Sequence, residues 1–132
     1  MSFKRINPES LGHPSGYTNG LLTTRDFRLL FIAGQIGWDE SLQLVSQDFV
    51  EQFDRALQNV LTIVREAGGA PEAVARLIIY VTDKEEYRAR RPEIGIRWRA
   101  QMGSHYPAMT LVEVKGLLED GAKVEIEGIA VI

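Results

Sequence analysis

From Val50 onward the apolar residues Val50, Phe53, Leu57, Val60, Leu61 and Val64 recur every three or four positions, which places them on one face of a helix. Ser46 is positioned to cap that helix, Asp48 suits its positive end, and Gly68-Gly69 provide a residue able to end it. Elsewhere the period shortens. LLFIAGQI, following Arg28, is a short run rich in strand formers that ends at a turn containing Gly37. The segment Tyr17 to Thr24, flanked by glycines, is its expected hairpin partner across Arg25-Asp26. Arg76 to Thr82, centred on LIIYV, reads as a second buried strand closed by Asp83. A helical segment follows in which Ile94, Trp98 and Met102 keep helical spacing. Pro92 is tolerable only in a first turn, so the helix proper is expected to start near Arg91 and to end at Gly103. PAMTLVEV (107–114) and KVEIEGIAVI (123–132) alternate like half-buried strands, with Glu119-Asp120-Gly121 as the turn joining them. The order β-β-α-β-α-β-β predicts one α+β domain over residues 1–132, a mixed sheet with two helices packed on one face.

That arrangement leaves the other sheet face open. In the last strand Val124, Ile126, Gly128, Ala130 and Ile132 form one side, and Glu125, Glu127, Ile129 and Val131 the other. With the helices on the first set, the second set exposes an apolar end carrying Ile129 and Val131 beside two carboxylates. Contiguous exposed apolar patches mark interfaces, so assembly through this face is expected.

Composition narrows the function. The chain is 45% hydrophobic and 25% charged with a net charge of −3, which fits a folded protein without a positive field for a nucleic-acid backbone. The absence of cysteine removes disulfides, thiolate metal sites and a cysteine nucleophile. His13 and His105 show no metal-ligand spacing. No apolar run approaches the roughly 20 residues of a membrane span, and the first residues lack the apolar core of a signal peptide, so a cytoplasmic location is expected.

Neither a phosphate-binding GxxxxGK[ST] nor a GxGxxG motif occurs. Glu125 and Glu127, two apart on a strand, point to the same face. In an enclosed apolar space such a carboxylate can serve as a general acid or base; otherwise the pair forms a solvated sheet face. The arginines between Lys84 and Arg99 could receive an acidic ligand, but the interleaved Glu85, Glu86 and Glu93 favour a solvated helix face with internal ion pairs. Trp98 is read as core, whereas Tyr17, in SGYTNG, is either a pocket rim or an ordinary strand residue.

Taken together, Gly16-Tyr17 with Gly20, IAGQI with Gly34-Gln35-Ile36, ALQNV ending at Ala67-Gly68-Gly69, LIIYVTD, YPAMTLVEV and VEIEGIAVI resemble the RidA/YjgF family, also labelled L-PSP endoribonuclease-like. The resemblance covers nearly the whole chain. It implies a chorismate-mutase-like fold, a homotrimer with small-molecule pockets at the subunit interfaces, and no metal or organic cofactor. It also implies hydrolysis of enamine/imine intermediates to a 2-oxo acid and ammonia. By motif position Glu125 matches the water-positioning glutamate, Tyr17 the pocket tyrosine and Gly34 a substrate-lining glycine, and backbone groups near Leu111 would contact substrate.

Two positions depart from the pattern. Where the family's deaminases read PAR this chain reads PAM, so Met109 stands at the carboxylate-binding position, and Ala33 stands where the family carries a small hydroxyl. A thioether makes only weak polar contacts. Loss of a buried Arg–carboxylate contact costs about 2–5 kcal/mol, roughly 30- to several-thousand-fold in affinity. The pocket is therefore expected to take a less charged or more apolar ligand. Three functions follow: a divergent imine hydrolase using Glu125, a noncatalytic metabolite-binding or partner-docking trimer, and, least compatible with the charge and the absence of a metal motif, a nuclease.

Overall fold

The structure is a computed structural model that describes residues 3–12, 20–23 and 26–132. A four-stranded sheet contains β3 (Leu29–Gln35), β4 (Val74–Val81), β5 (Ala108–Glu113) and β6 (Val124–Val131), in the spatial order β3-β6-β4-β5. β6 is antiparallel to both β3 and β4, and β5 runs parallel to β4. A separate two-stranded ribbon pairs β1 (Lys4–Ile6) with β2 (Gly20–Leu22).

α1 (Phe49–Glu66) forms because its apolar stripe has somewhere to go. The six residues singled out by spacing are all buried, joined by Phe49 and Ala56, and they pack with Leu77, Ile79 and Ile126 from the sheet. Asp48 is the N-cap, its carboxylate accepting the Glu51 N–H, while the Ser46 hydroxyl accepts from the Asp48 N–H one turn earlier. The expected cap at Ser46 is thus displaced by two residues, because the aspartate reaches the first helical turn directly. After β4, Asp83 caps the short α2 (Lys84–Ala89), and α3 runs Arg91–Met102 as its proline placement requires. Ile94, Trp98 and Met102 face the core, and Gly103 ends the helix at a φ of 62°.

Three topological expectations are corrected. β2 pairs with β1 and not with β3, so among the described residues the expected hairpin between this segment and β3 is not formed. The strands at 108–113 and 124–131 are not hairpin partners either, because β4 lies between them. The β4–α2–α3–β5 crossover delivers β5 to the far side of β4, as a parallel connection through helices requires, and the longer β6 fills the centre of the sheet. Finally Val131, which keeps strand parity with Ile129, is not left uncovered: it is 1% exposed, against a cavity it shares with Phe27, Ala70 and Ala73. Ala130 and Val131 are thus buried in succession at the end of β6.

Polar groups inside are matched. Gln52, fully buried, donates through Nε2 to the carbonyls of Ser46 (2.9 Å) and Gly121 (3.0 Å), and its Oε1 accepts the Lys123 N–H at 2.8 Å. One side chain thereby fastens the start of α1 to the turn before β6. Among the described residues no helix is long and apolar enough to cross a membrane.

Candidate active site

The open face is built by alternation along β3, β6, β4 and β5. β6 contributes Glu125, Glu127 and Ile129; opposite them in register stand Tyr80, Ile78 and Arg76 of β4. Phe31 of β3 lies opposite Ile129 and is 71% exposed, so the apolar part of this face rests on Phe31 and Ile129 in place of Val131.

The two glutamates, equivalent by strand parity, differ in their surroundings. The Tyr80 hydroxyl donates to Glu127 Oε1, and this hydrogen bond is the main reason the phenol is held above its ordinary pKa. Glu127 is therefore engaged. Glu125 has no hydrogen-bond partner among the described residues, and its carboxylate lies over Gly34, where a β-carbon would come within 2.2 Å of Oε1. A register irregularity between Ile32 and Gln35 places Ala33 and Gly34 at this point of β3, a bulge that makes room for the Glu125 side chain. Ala33 is exposed at the same bulge. Tyr17, like His13, lies outside the described residues.

Met109 and Leu111 belong to the other side of the sheet. They pair in register with Leu77 and Ile79 and pack partly against the core, so the sheet itself separates them from Glu125. Met109 lines a cavity of about 340 Å³ between β5 and α3, with Tyr87, Arg91, Ile94, Trp98 and Tyr106. The Trp98 and Tyr106 rings stack at 6.0 Å, and the Trp98 indole N–H donates to the His105 carbonyl at 3.3 Å. β5 is an edge strand. Because the Val114 N–H points inward to the Val81 carbonyl, backbone alternation turns the main chain of Leu111 outward, leaving its N–H and C=O available at the edge.

The arginines between 88 and 97 mostly hold ion pairs, as their interleaved acids imply. Arg90 bridges Glu93 (2.7 Å) and Asp48 (2.9 Å), holding both carboxyls below their usual range, and Arg97 binds Asp54 (2.8 Å) and Glu51. Arg91 is different: its guanidinium stands over the Tyr87 ring, 5.7 Å from the centroid, and no carboxylate among the described residues lies within ion-pair distance. His105 bonds the Val74 carbonyl at 2.7 Å and stacks on Phe3, which explains it structurally. Among the described residues no group of three His, Asp or Glu side chains is placed to hold a metal ion.

Sequence reasoning missed Tyr80 and Arg91. Tyr80 was legible as a strand residue, but its pairing with Glu127 depends on β4 lying beside β6. Arg91 reads along the chain as one member of a basic cluster, and it is set apart by having no ion pair among the described residues.

Comparison with known proteins bears on the whole chain. The family model for Endoribonuclease L-PSP matches residues 14–132. A RutC family protein of Pyrococcus abyssi is 33% identical over 131 residues, covering 98% of each chain. The human 2-iminobutanoate/2-iminopropanoate deaminase is 30% identical over 105 residues, 79% of this chain and 73% of the human one. The crystal structure of the Yersinia pestis Rid family protein YyfB, described as of unknown function, superposes with a TM-score of 0.87 at 30% identity over 100% of both chains. The mixed four-stranded sheet with its helices is the chorismate-mutase-like fold of the RidA/YjgF structures. Through its sequence over nearly its full length and through that fold, the chain belongs to the Endoribonuclease L-PSP family, which includes the RutC and RidA/YjgF proteins.

Proposed function

We propose that this protein is a cytoplasmic hydrolase of small enamine or imine substrates with altered specificity, working without metal or organic cofactor in pockets between the subunits of a homotrimer. The observation that carries the reading is the difference between the two open-face glutamates: Glu127 is occupied by Tyr80, while Glu125 has no hydrogen-bond partner among the described residues and is seated over Gly34. A free carboxylate at that point can accept a proton from water as the water oxygen bonds to the imine carbon, then return a proton to nitrogen as the C–N bond breaks. The sum is imine plus water giving carbonyl compound plus ammonia. The resemblance of the chain to named 2-imino acid deaminases supports the same chemistry.

The need for neighbouring subunits follows from the sheet. Glu125 lies on the open face beside β3, and Met109 lies on the helix side of β5, at the opposite edge. A pocket using both draws them from two chains, with Tyr17, Ala33 and Gly34 on the Glu125 side and the outward main chain of Leu111 on the Met109 side. Exposed Phe31, with half-buried Ile129 beside it, provides the apolar contact for assembly.

The test generates imines in situ with an amino-acid oxidase and follows ammonia release. Glu125→Gln is expected to lower turnover roughly 10²- to 10⁴-fold, the range for loss of a general base, while Glu127→Gln acts mainly on assembly or stability. Equal turnover by Glu125→Gln and wild type would make the glutamate structural and leave a noncatalytic binding trimer as the better reading. Phe31→Glu is expected to convert the trimer to monomer by light scattering and to abolish turnover with it; a wild type that is monomeric in dilute neutral buffer refutes the shared-pocket arrangement.

A further inference from the structure

We infer that Arg91 is the carboxylate anchor of this pocket, and that the ligand it selects carries its carboxylate on an apolar or aromatic body. The inference rests on the reading of the Met109 side as the ligand pocket and adds what the pocket recognises.

Two cavities meet at the edge of β5, and Tyr87 and Arg91 are common to both. The first, about 340 Å³, is walled by Ile94, Trp98, Tyr106 and Met109; the second, about 300 Å³, has Lys84, Arg88, Leu111 and Glu113. The former is apolar and aromatic. The latter is positive, since three cations face one carboxylate, and that carboxylate accepts the Lys84 N–H at 3.0 Å. A molecule spanning both presents an apolar body to one and an anion to the other. Volumes of this size lie at the lower end of small-molecule sites, which suits an amino-acid-sized ligand.

Arg91 is the cation at the junction, and its neighbours leave it available. Arg88 pairs with Glu85, Arg90 with Glu93 and Asp48, and Arg97 with Glu51 and Asp54. Arg91 stands instead over Tyr87, whose ring also makes an edge contact with Phe49 at 6.5 Å. A guanidinium placed over an aromatic ring and not engaged by an acid keeps its N–H groups available to bind a carboxylate with two parallel hydrogen bonds. With an uncharged thioether at Met109, the anion site moves from the strand to the first turn of α3. The space beside Met109 and Gly95 then becomes room for the ligand's body.

Calorimetric titration with phenylpyruvate tests this, with phenylacetone as the same body lacking the carboxylate. Wild type is expected to bind phenylpyruvate more tightly than phenylacetone. Arg91→Gln should lose about ten- to a hundredfold in phenylpyruvate affinity, the range of a charge-assisted hydrogen bond, and leave phenylacetone binding unchanged. Arg91→Lys should recover part of the loss, and Arg88→Gln should change affinity less than threefold. Unchanged phenylpyruvate affinity in Arg91→Gln, equal binding of the two compounds by wild type, or no phenylpyruvate binding at all overturns the inference. Turnover of Glu125→Gln separates it from the hydrolase reading. If that variant loses turnover while Arg91→Gln keeps its affinity, the anchor fails and the hydrolase stands; if it keeps wild-type turnover while Arg91→Gln loses affinity, the reverse holds.

Discussion

Gly34→Ala probes the seat of Glu125 without altering the glutamate. A β-carbon at position 34 would lie 2.2 Å from Glu125 Oε1, 2.8 Å from its carboxyl carbon and 3.0 Å from Cγ, against the 3.4 Å where ordinary contact begins. The carboxylate must therefore move by about 1 Å or more, and it is the flexible end of a side chain that moves. Gly34 is not among the residues with positive φ, so its backbone accepts alanine. Reduced freedom of the unfolded chain contributes about 0.4–1 kcal/mol of stability, and an off-rotamer Glu125 costs about 0.5–1.5 kcal/mol, so folding should change by less than about 1 kcal/mol. A misplacement of about 1 Å at a reacting group costs on the order of 10²-fold in rate. The expected result is thus a loss of about 10²-fold in kcat for ammonia release from oxidase-generated imines, with the urea midpoint and trimer mass nearly unchanged. The same substitution placed on Glu125→Gln should add little, because both act through one carboxylate. Wild-type turnover by Gly34→Ala, or a full independent loss in the double variant, would refute the argument that Glu125 acts from its position over Gly34.

Met109→Arg is expected to raise kcat/KM for 2-aminoacrylate-type imines by about 30-fold or more, the lower end of what a buried Arg–carboxylate contact contributes; a wild type already as active on these imines as an arginine-bearing deaminase refutes it. Gln52→Ala should destabilise the fold by about 3–5 kcal/mol in urea, because the Ser46 and Gly121 carbonyls and the Lys123 N–H lose their partner together, and a change below 1 kcal/mol would contradict this. Asp48→Ala removes the α1 cap at a cost of about 1 kcal/mol at pH 7. Arg90 holds the Asp48 carboxyl below its unfolded value, so that contribution is complete above the unfolded pKa and lost as pH falls through the folded one. The deficit of Asp48→Ala should accordingly be present at pH 7 and shrink below about pH 4, where a deficit that stayed constant would show the carboxylate charge to be irrelevant.

The sequence by itself determined the elements whose signal is local. The spacing of Val50 to Val64 fixed which face of α1 is buried, Pro92 fixed the start of α3 at Arg91, and alternation in 124–131 put Glu125 and Glu127 on one side. Each of these depends on the geometry of a single helix or strand. Pairing between strands is not local, and there chain order misleads: β4 separates β5 from β6, β2 joins β1, and Val131 is covered at the end of β6. Chain order leaves such choices open, because adjacency in a sheet is decided by which crossover buries the most apolar surface. The site divides in the same way. Glu125, Gly34 and Met109 could be picked out along the chain, but parity cannot tell Glu125 from Glu127. The distinction comes from Tyr80, which reaches Glu127 only once β4 has docked on β6, and from the β3 bulge that opens space over Gly34. Arg91 likewise acquires its character from what surrounds it: neighbouring arginines are neutralised by acids that the α1–α3 packing and the helix register bring to them, while Arg91 stands over Tyr87 and makes no ion pair among the described residues.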